Sequence, residues 1–132
     1  MNLLKNMSDE IDEDENIKSY KVVLIGESGV GKTSINNRFI KGTFRNNEVP
    51  TTSAEFSEKT LQFNEYDGIK IKFNIWDTAG QEKYRSIAKI FYNDADIALL
   101  VYDITNKDSF DEIKKYWYKQ LQECSPKNKN KF

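Results

Sequence analysis

The stretch KVVLIGESGVGKTS, Lys21 to Ser34, decides the fold predicted for this chain of 132 residues. It opens with a continuous apolar run, which is typical of a strand covered on both faces in a parallel sheet. The segment GESGVGKT then fits the pattern G-x-x-x-x-G-K-[ST]. Lys32 to Lys41 has the pattern of a helix, and Gly42 ends it. The motif therefore has the context that it requires, after a strand and at the start of a helix.

This motif predicts a phosphate-binding loop. Glycines let consecutive backbone N–H groups curl round a phosphate without obstruction by side chains, and the helix N-terminus adds its positive dipole end. Lys32 supplies a cation for the β- and γ-phosphates, and the Thr33 hydroxyl suits Mg²⁺. The alternative is an ordinary glycine turn, which the flanking strand and helix argue against. The predicted phosphate-binding residues are Gly26, Ser28, Gly29, Val30, Gly31, Lys32, Thr33 and Ser34.

Strands and helices alternate along the rest of the chain. Asp67-Gly68 is a strong hairpin signal between two strands, and the second strand alternates apolar and polar residues from Ile69 to Ile75. A short helix is predicted to about Asn93, and DIALLVYDI, Asp96–Ile104, predicts another buried strand. A last helix follows from Asp108 until Pro126 closes it, and its apolar face carries Phe110, Ile113, Trp117 and Leu121. This order argues for an α/β layered sheet with right-handed crossovers.

The composition excludes several classes of site. One cysteine, Cys124, and no histidine exclude an internal disulfide framework and a Cys/His zinc site. The net charge of −1 gives no general attraction to nucleic acid or membrane. No stretch approaches the ~18 apolar residues that span a bilayer, Asn2 excludes N-myristoylation, and no C-terminal cysteine is available for prenylation. We expect a cytoplasmic protein without an anchor of its own.

Three segments are predicted. Residues 1–18 include the acidic run SDEIDEDEN and are expected to be a disordered tail. Residues 19–124 form the folded part, which should begin at Tyr20. Residues 125–132 are a polar tail rich in lysine and asparagine.

A second group of candidate residues follows the alternating strand. Asp77 lies where a carboxylate would support Mg²⁺, although a lone aspartate at a strand end is more often a cap or turn residue. Gly80 offers an N–H for a γ-phosphate oxygen, and Gln81 is placed to orient an attacking water. Together with the phosphate loop, these residues favour hydrolysis of a phosphate bond, but they do not identify the base.

GESGVGKTS, WDTAGQEKYRSI and LLVYDIT resemble the Ras superfamily of small GTPases, and within it the Rab family. The resemblance covers about Tyr20 to Pro126, and YDITNKDSF with QLQECSP is most similar to the endosomal Rabs. It implies the small G domain of the P-loop NTPases, with a mainly parallel sheet and one antiparallel hairpin strand. It also implies binding of GTP and GDP with Mg²⁺, and a role in vesicle trafficking as a peripheral protein of endosomal membranes if a prenylated full-length form exists.

The resemblance assigns further residues. Thr51 in PTTSAEF would close over Mg²⁺ when the γ-phosphate is present, with Thr52 as the second choice. Phe44 would lie against the guanine, unless it packs on Phe39 instead. An aromatic trio would present the protein to effectors, although such residues are more often ordinary core. The trio is Phe56, Trp76 and Phe91.

The implied mechanism is a switch. With GTP bound, Thr51 and Gly80 are tied to Mg²⁺ and the γ-phosphate, and hydrolysis releases the two loops that carry them. No arginine is expected to reach the phosphate from within the chain, so the expected partners are a GTPase-activating protein that supplies one, an exchange factor and effectors.

The chain also departs from a complete small GTPase. The last two strands and the last two helices are expected to be missing, together with the Asn-Lys-x-Asp turn that reads guanine. TNKDSF, Thr105–Phe110, has Ser109 where the carboxylate belongs, so we interpret it as a helix start with Asp108 and Ser109 in the first turn or cap. Asp96–Ile104 should then have one unpaired edge, which predicts poor stability or aggregation. The alternative function is therefore a non-catalytic remnant of the G domain that acts as a binding fragment without guanine specificity.

Overall fold

The computed structural model describes residues 17–47, 49–80 and 90–124, and four strands in them form one sheet. The strands are β1 (Ile17–Ile25), β2 (Glu55–Phe63), β3 (Ile69–Asp77) and β4 (Ile97–Leu100). Their order is β2-β3-β1-β4, with β3 and β4 parallel to β1 and β2 antiparallel to β3. This confirms the predicted α/β fold, mainly parallel with one antiparallel hairpin strand.

The helices lie on both sides of this sheet. Helix α1 spans Lys32–Lys41, the predicted range, and Gly42 ends it at φ 68°, donating its N–H to Arg38 O over 3.0 Å. After β4 come α2 (Lys107–Glu112), a π-helical segment (Ile113–Trp117) and α3 (Tyr118–Cys124). Residues 90–92 are also helical. Among the described residues, no helix is both long and apolar enough to cross a membrane.

The predicted hairpin is confirmed. Asp67 and Gly68 both have positive φ, 53° and 70°, which favours aspartate and glycine in such a turn. A 3₁₀ turn, Asn64–Tyr66, precedes them and brings Phe63 opposite Ile69. The hairpin thereby carries β3 back beside β1 and places its last residue, Asp77, at the edge of the sheet where the phosphate loop begins.

Strand β1 is covered on both faces, which explains its continuous apolar sequence. Val22 and Leu24 pack with Ile75 against residues of α1, including Phe39. Val23 and Ile25 point to the opposite face. The cluster on that face is completed by Tyr92, Ala95, Ile113, Trp117 and Leu121.

Strand boundaries differ from the prediction at two places. Strand β1 begins at Ile17 rather than Tyr20, because residues 17–19 continue the ladder with Lys70–Lys72 of β3. Ile17 and Lys18 thus belong to the strand and not to the acidic tail, and both predicted tails otherwise lie outside the described residues. Strand β4 ends at Leu100 rather than Ile104, because the Asp103 carboxylate accepts hydrogen bonds from the Thr105 N–H (2.8 Å) and hydroxyl (2.7 Å) and turns the chain.

Two predictions of burial were also wrong in part. Strand β4 was expected to be buried, yet Ile97 and Leu99 are 37% and 43% exposed. They line an apolar groove beside α1, and no described element covers it. In the last helix Ile113, Trp117 and Leu121 are buried as predicted, but Phe110 is 37% exposed and packs against Tyr102 instead. Within the described residues, strand β4 pairs with β1 alone.

Candidate phosphate-binding site

The loop between β1 and α1 has the conformation that its glycines predict. A Cβ atom on Gly26, whose φ is 149°, would lie 2.1 Å from the Val101 carbonyl oxygen. Gly31 precedes α1 with φ 101°, in the left-handed region. The loop therefore fits closely against the end of β4, and it turns directly into the helix N-terminus with its unpaired N–H groups.

Lys32 is held across this loop. Its side chain is only 5% exposed, and Nζ donates hydrogen bonds to the carbonyl oxygens of Gly26 (2.9 Å) and Glu27 (2.7 Å). Burial lowers the pKa of the Lys32 ammonium, while the carboxylates of Asp77 and Glu27 act in the opposite direction. The loop thus holds the lysine nitrogen between two backbone carbonyl oxygens.

Three oxygen-bearing side chains meet beside the lysine, although they come from three separate parts of the chain. The Thr33 hydroxyl donates to Asp77 Oδ2 over 2.6 Å, and the hydroxyl oxygens of Thr33 and Thr51 are also 2.6 Å apart. Because Thr33 has one proton and gives it to the carboxylate, Thr51 is the donor to Thr33. Asp77 is fully buried, which is more than a surface turn residue requires.

This set fits Mg²⁺ by the chemistry of its donors. Hydroxyl and carboxylate oxygens are the hard ligands that Mg²⁺ prefers, and the ion normally keeps several water or phosphate ligands as well. No group of three or more His, Cys, Asp or Glu side chains that could hold a metal occurs in the described ranges. The residues that would hold the ion are Thr33 and Thr51, with Asp77 supporting them.

A cleft of about 230 Å³ brings most of the predicted site residues together. One wall is the phosphate loop, the other is formed by residues 44–46 and 49–51, and Gly80 also lines the cleft. The predicted residues that line it are Ser28, Gly29, Gly31, Lys32, Thr33, Ser34, Phe44, Thr51 and Gly80. Gln81 lies outside the described residues.

Phe44 lies in the wall opposite the phosphate loop, and its surroundings distinguish between the cleft and packing on Phe39. Phe39 packs edge-on against Phe73, with ring centroids 6.0 Å apart, whereas Phe44 is 64% exposed and faces the cleft. Sequence reasoning missed Arg45 and Asn46, which line the cleft beside it. Their only signal in the sequence is their position between Phe44 and Thr51.

The aromatic trio forms one patch away from the cleft. The ring of Trp76 lies between Phe56, 5.0 Å away, and Phe91, 5.2 Å away. Phe56 is 51% exposed and is not ordinary core, whereas Trp76 is half-buried and packs against the core cluster of β1 and the last helix. The contact joins β2 and β3 to the helical residues 90–92.

TNKDSF is a helix start, as predicted. The Asn106 side chain accepts a hydrogen bond from the Asp108 N–H over 3.1 Å, and α2 begins at Lys107. The cap is therefore Asn106, and Asp108 and Ser109 lie in the first turn, one of the two positions predicted for them. Ser109 is buried, and its hydroxyl donates to Asn106 O over 2.7 Å.

The model of the Ras family matches residues 21–132 of this chain. The chain belongs to the Ras family. The "Ras-related protein Rab-26" of Rattus norvegicus is 48% identical over 106 residues, which cover 80% of this chain and 40% of the rat protein. The protein of the same name from Mus musculus is also 48% identical over 106 residues, 39% of its length. The predicted Rab-type small GTPase fold is thus confirmed, and the chain spans about 40% of the length of these curated relatives.

Proposed function

We propose that this chain is the nucleotide-binding part of a Rab-type switch that hydrolyses GTP to GDP with Mg²⁺. One observation carries the proposal: the Thr33 hydroxyl lies 2.6 Å from both the Thr51 hydroxyl and the buried carboxylate of Asp77, on the residue that follows Lys32. A cation and a cluster of hard oxygen donors at a helix N-terminus match what a nucleoside triphosphate with its metal ion requires.

Each residue has a distinct task in this proposal. Lys32 would leave its two carbonyl partners, in part or in whole, to bind the β- and γ-phosphates. The Gly80 N–H would bind a γ-phosphate oxygen, and Gln81 would orient the attacking water. Mg²⁺, when bound, neutralises charge on the phosphates during transfer. Because Thr51 and Gly80 lie on different loops, loss of the γ-phosphate would release both, and the two loops would then relax.

The biological setting is part of the same proposal. We assign the chain to vesicle trafficking at endosomes, with a GTPase-activating protein, an exchange factor and effectors as partners. The patch of Phe56, Trp76 and Phe91, in which Phe56 is exposed and the other two rings are half-buried, would contact the effectors, since surface aromatic clusters favour protein partners. A peripheral place on endosomal membranes applies to a full-length prenylated form.

A second candidate is a non-catalytic binding fragment without guanine specificity. It is favoured by the role of Asn106, the residue that opens the N-K-D sequence, because that side chain caps α2 instead of facing the cleft. The described residues contain no other asparagine followed by lysine, so they offer no second base-reading turn of this kind.

A titration of the purified chain with fluorescent GTP, GDP and ATP analogues in Mg²⁺ separates the two candidates. The switch predicts saturable binding in the micromolar range or tighter, with guanine preferred over adenine, and slow phosphate release from GTP. Equal binding of GTP and ATP without phosphate release would support the binding fragment. The absence of saturable binding would exclude enzymatic activity for this chain.

A further inference from the structure

A hydrogen bond joins the phosphate loop to the last helix. The Trp117 indole Nε1–H donates to Glu27 Oε1 over 2.8 Å, between residues 90 positions apart. Trp117 has no exposed surface, while Glu27 is half-buried in the loop. The contact therefore spans the two elements that enclose the C-terminal end of β1.

The backbone geometry around Trp117 is unusual. The tryptophan is the last residue of the π-helical segment Ile113–Trp117, and such segments occur often at functional sites. Ile113 and Leu121, on the same helical face, pack against β1. The indole is thus fixed by the core, and its N–H is a donor that a buried position must satisfy.

Glu27 connects this helix to the chemistry of the loop in two ways. Its backbone carbonyl accepts a hydrogen bond from Lys32 Nζ over 2.7 Å, and its side-chain carboxylate favours the charged form of that lysine, raising the lysine pKa against the effect of burial. Its backbone also packs closely on Gly80, where an added Cβ would lie 2.4 Å from the Glu27 carbonyl carbon. Movement of Glu27 would therefore disturb both Lys32 and the loop that carries Gly80.

We infer that Trp117 is a positioning residue for the phosphate loop, which acts through Glu27 and touches neither nucleotide nor metal. The indole holds the Glu27 side chain, and with it the first turn of the loop, in the arrangement that receives the phosphates. The helix α2–α3 is thereby coupled to nucleotide binding. This inference rests on the proposed function, because it concerns how the nucleotide is retained.

The test is the rate at which a fluorescent GDP analogue leaves the full chain. Loss of one buried hydrogen bond should accelerate release about ten-fold in Trp117→Phe and in Glu27→Ala. The double variant should release no faster than either single variant, because both changes remove the same bond. Glu27→Gln should release the analogue more slowly than Glu27→Ala, since its amide oxygen still accepts from the indole although the negative charge near Lys32 is lost. Tyr118→Phe, at the neighbouring position that is 45% exposed, is the matched control and should match the wild type.

A second readout reports the bond itself. The chain has two tryptophans, so its ¹H–¹⁵N spectrum has two indole N–H peaks, and Trp76→Phe identifies which belongs to Trp117. We expect this peak to move in Glu27→Ala and to stay near its place in Glu27→Gln. If Trp117→Phe does not fold, the comparison of Glu27→Ala with Glu27→Gln still tests the inference.

The outcomes are distinguishable. Failure of the wild type to retain nucleotide overturns the proposed function, and this inference with it. Wild-type binding with unchanged release from Glu27→Ala, although its indole peak has moved, overturns the inference alone. Multiplicative effects in the double variant also overturn it, because the two residues would then act independently.

Discussion

The two ends of the cleft proposed to bind nucleotide are built differently. At the phosphate end Lys32 and Asp77 are 5% and 0% exposed, and hydrogen bonds fix both side chains. At the other end Phe44 is 64% exposed, in a segment without regular secondary structure. A preorganised site binds with less loss of conformational freedom than an open one. The difference teaches that the fold preorganises the proposed phosphate site, whereas the proposed base site lies among exposed loop residues.

The largest effect is expected from Lys32→Ala, which removes the cation from the phosphate end. Loss of the charge-assisted bond to the β-phosphate should weaken GDP binding by at least about 100-fold, measured by fluorescence titration. Lys41→Ala is the matched control, because that lysine is exposed in the last turn of the same helix. An equal loss in both variants would mean that only the overall charge matters.

Asp77→Asn should be next in size. The amide keeps the shape of the side chain but loses the charge that supports Mg²⁺. The affinity for Mg²⁺ in the presence of GDP should therefore fall by about 10- to 100-fold, which makes GDP binding less dependent on Mg²⁺. Asp67→Asn, in the hairpin turn at φ 53°, is the control, because asparagine tolerates that conformation. An unchanged Mg²⁺ dependence in Asp77→Asn would contradict the proposed metal site.

Phe44→Ala tests the other end of the cleft, where the Phe44 ring is exposed. Loss of one exposed aromatic face should cost less than about ten-fold in GDP affinity. If Phe44 only stacks on the base, GDP and ADP should lose affinity by the same factor. A loss larger than that of Lys32→Ala would reverse the proposed order of the two ends.

The smallest expected effect is on the pH dependence of the free energy of unfolding of the nucleotide-free protein. Burial lowers the pKa of Lys32 below its usual 10.5, so between the lowered value and 10.5 the unfolded chain binds more protons than the folded protein. The free energy of unfolding therefore rises with pH in this window through Lys32, while the cost of burying the charge is fully present below it. Lys32→Met lacks this cost. Its stability advantage over the wild type, measured by urea unfolding, should thus shrink as the pH rises towards 10.5. A difference that stays constant with pH would contradict the burial of a charged lysine.

The sequence predicts most of the phosphate end because its signals are local. The motif and the predicted bounds of α1 all lie within residues 26–42, and the hairpin depends on Asp67-Gly68. Asp77 follows a strand whose alternation is visible in the sequence. Its burial, however, depends on the ladder with β1. Short-range patterns of this kind predict the type of secondary structure better than they predict burial.

What the sequence does not predict depends on contacts between distant residues. The bond from Trp117 to Glu27 requires the π-helical segment, which no periodicity at 3.6 residues per turn reveals. Arg45 has no motif, and it reaches the cleft only because its loop lies opposite the phosphate loop. The exposure of Ile97 and Leu99 likewise follows from the lack of a described element over that face, and their apolar sequence indicated burial instead.

Calorimetric titration of the wild type with GDP and with guanosine, in Mg²⁺, tests the central claim most directly, because the two ligands differ only in the phosphates and their ion. We predict that GDP binds at least about 100-fold more tightly than guanosine, and that Lys32→Ala removes most of this difference. Guanosine binding as tightly as GDP, or a difference that survives in Lys32→Ala, would contradict the assignment of the phosphate end as the main source of affinity.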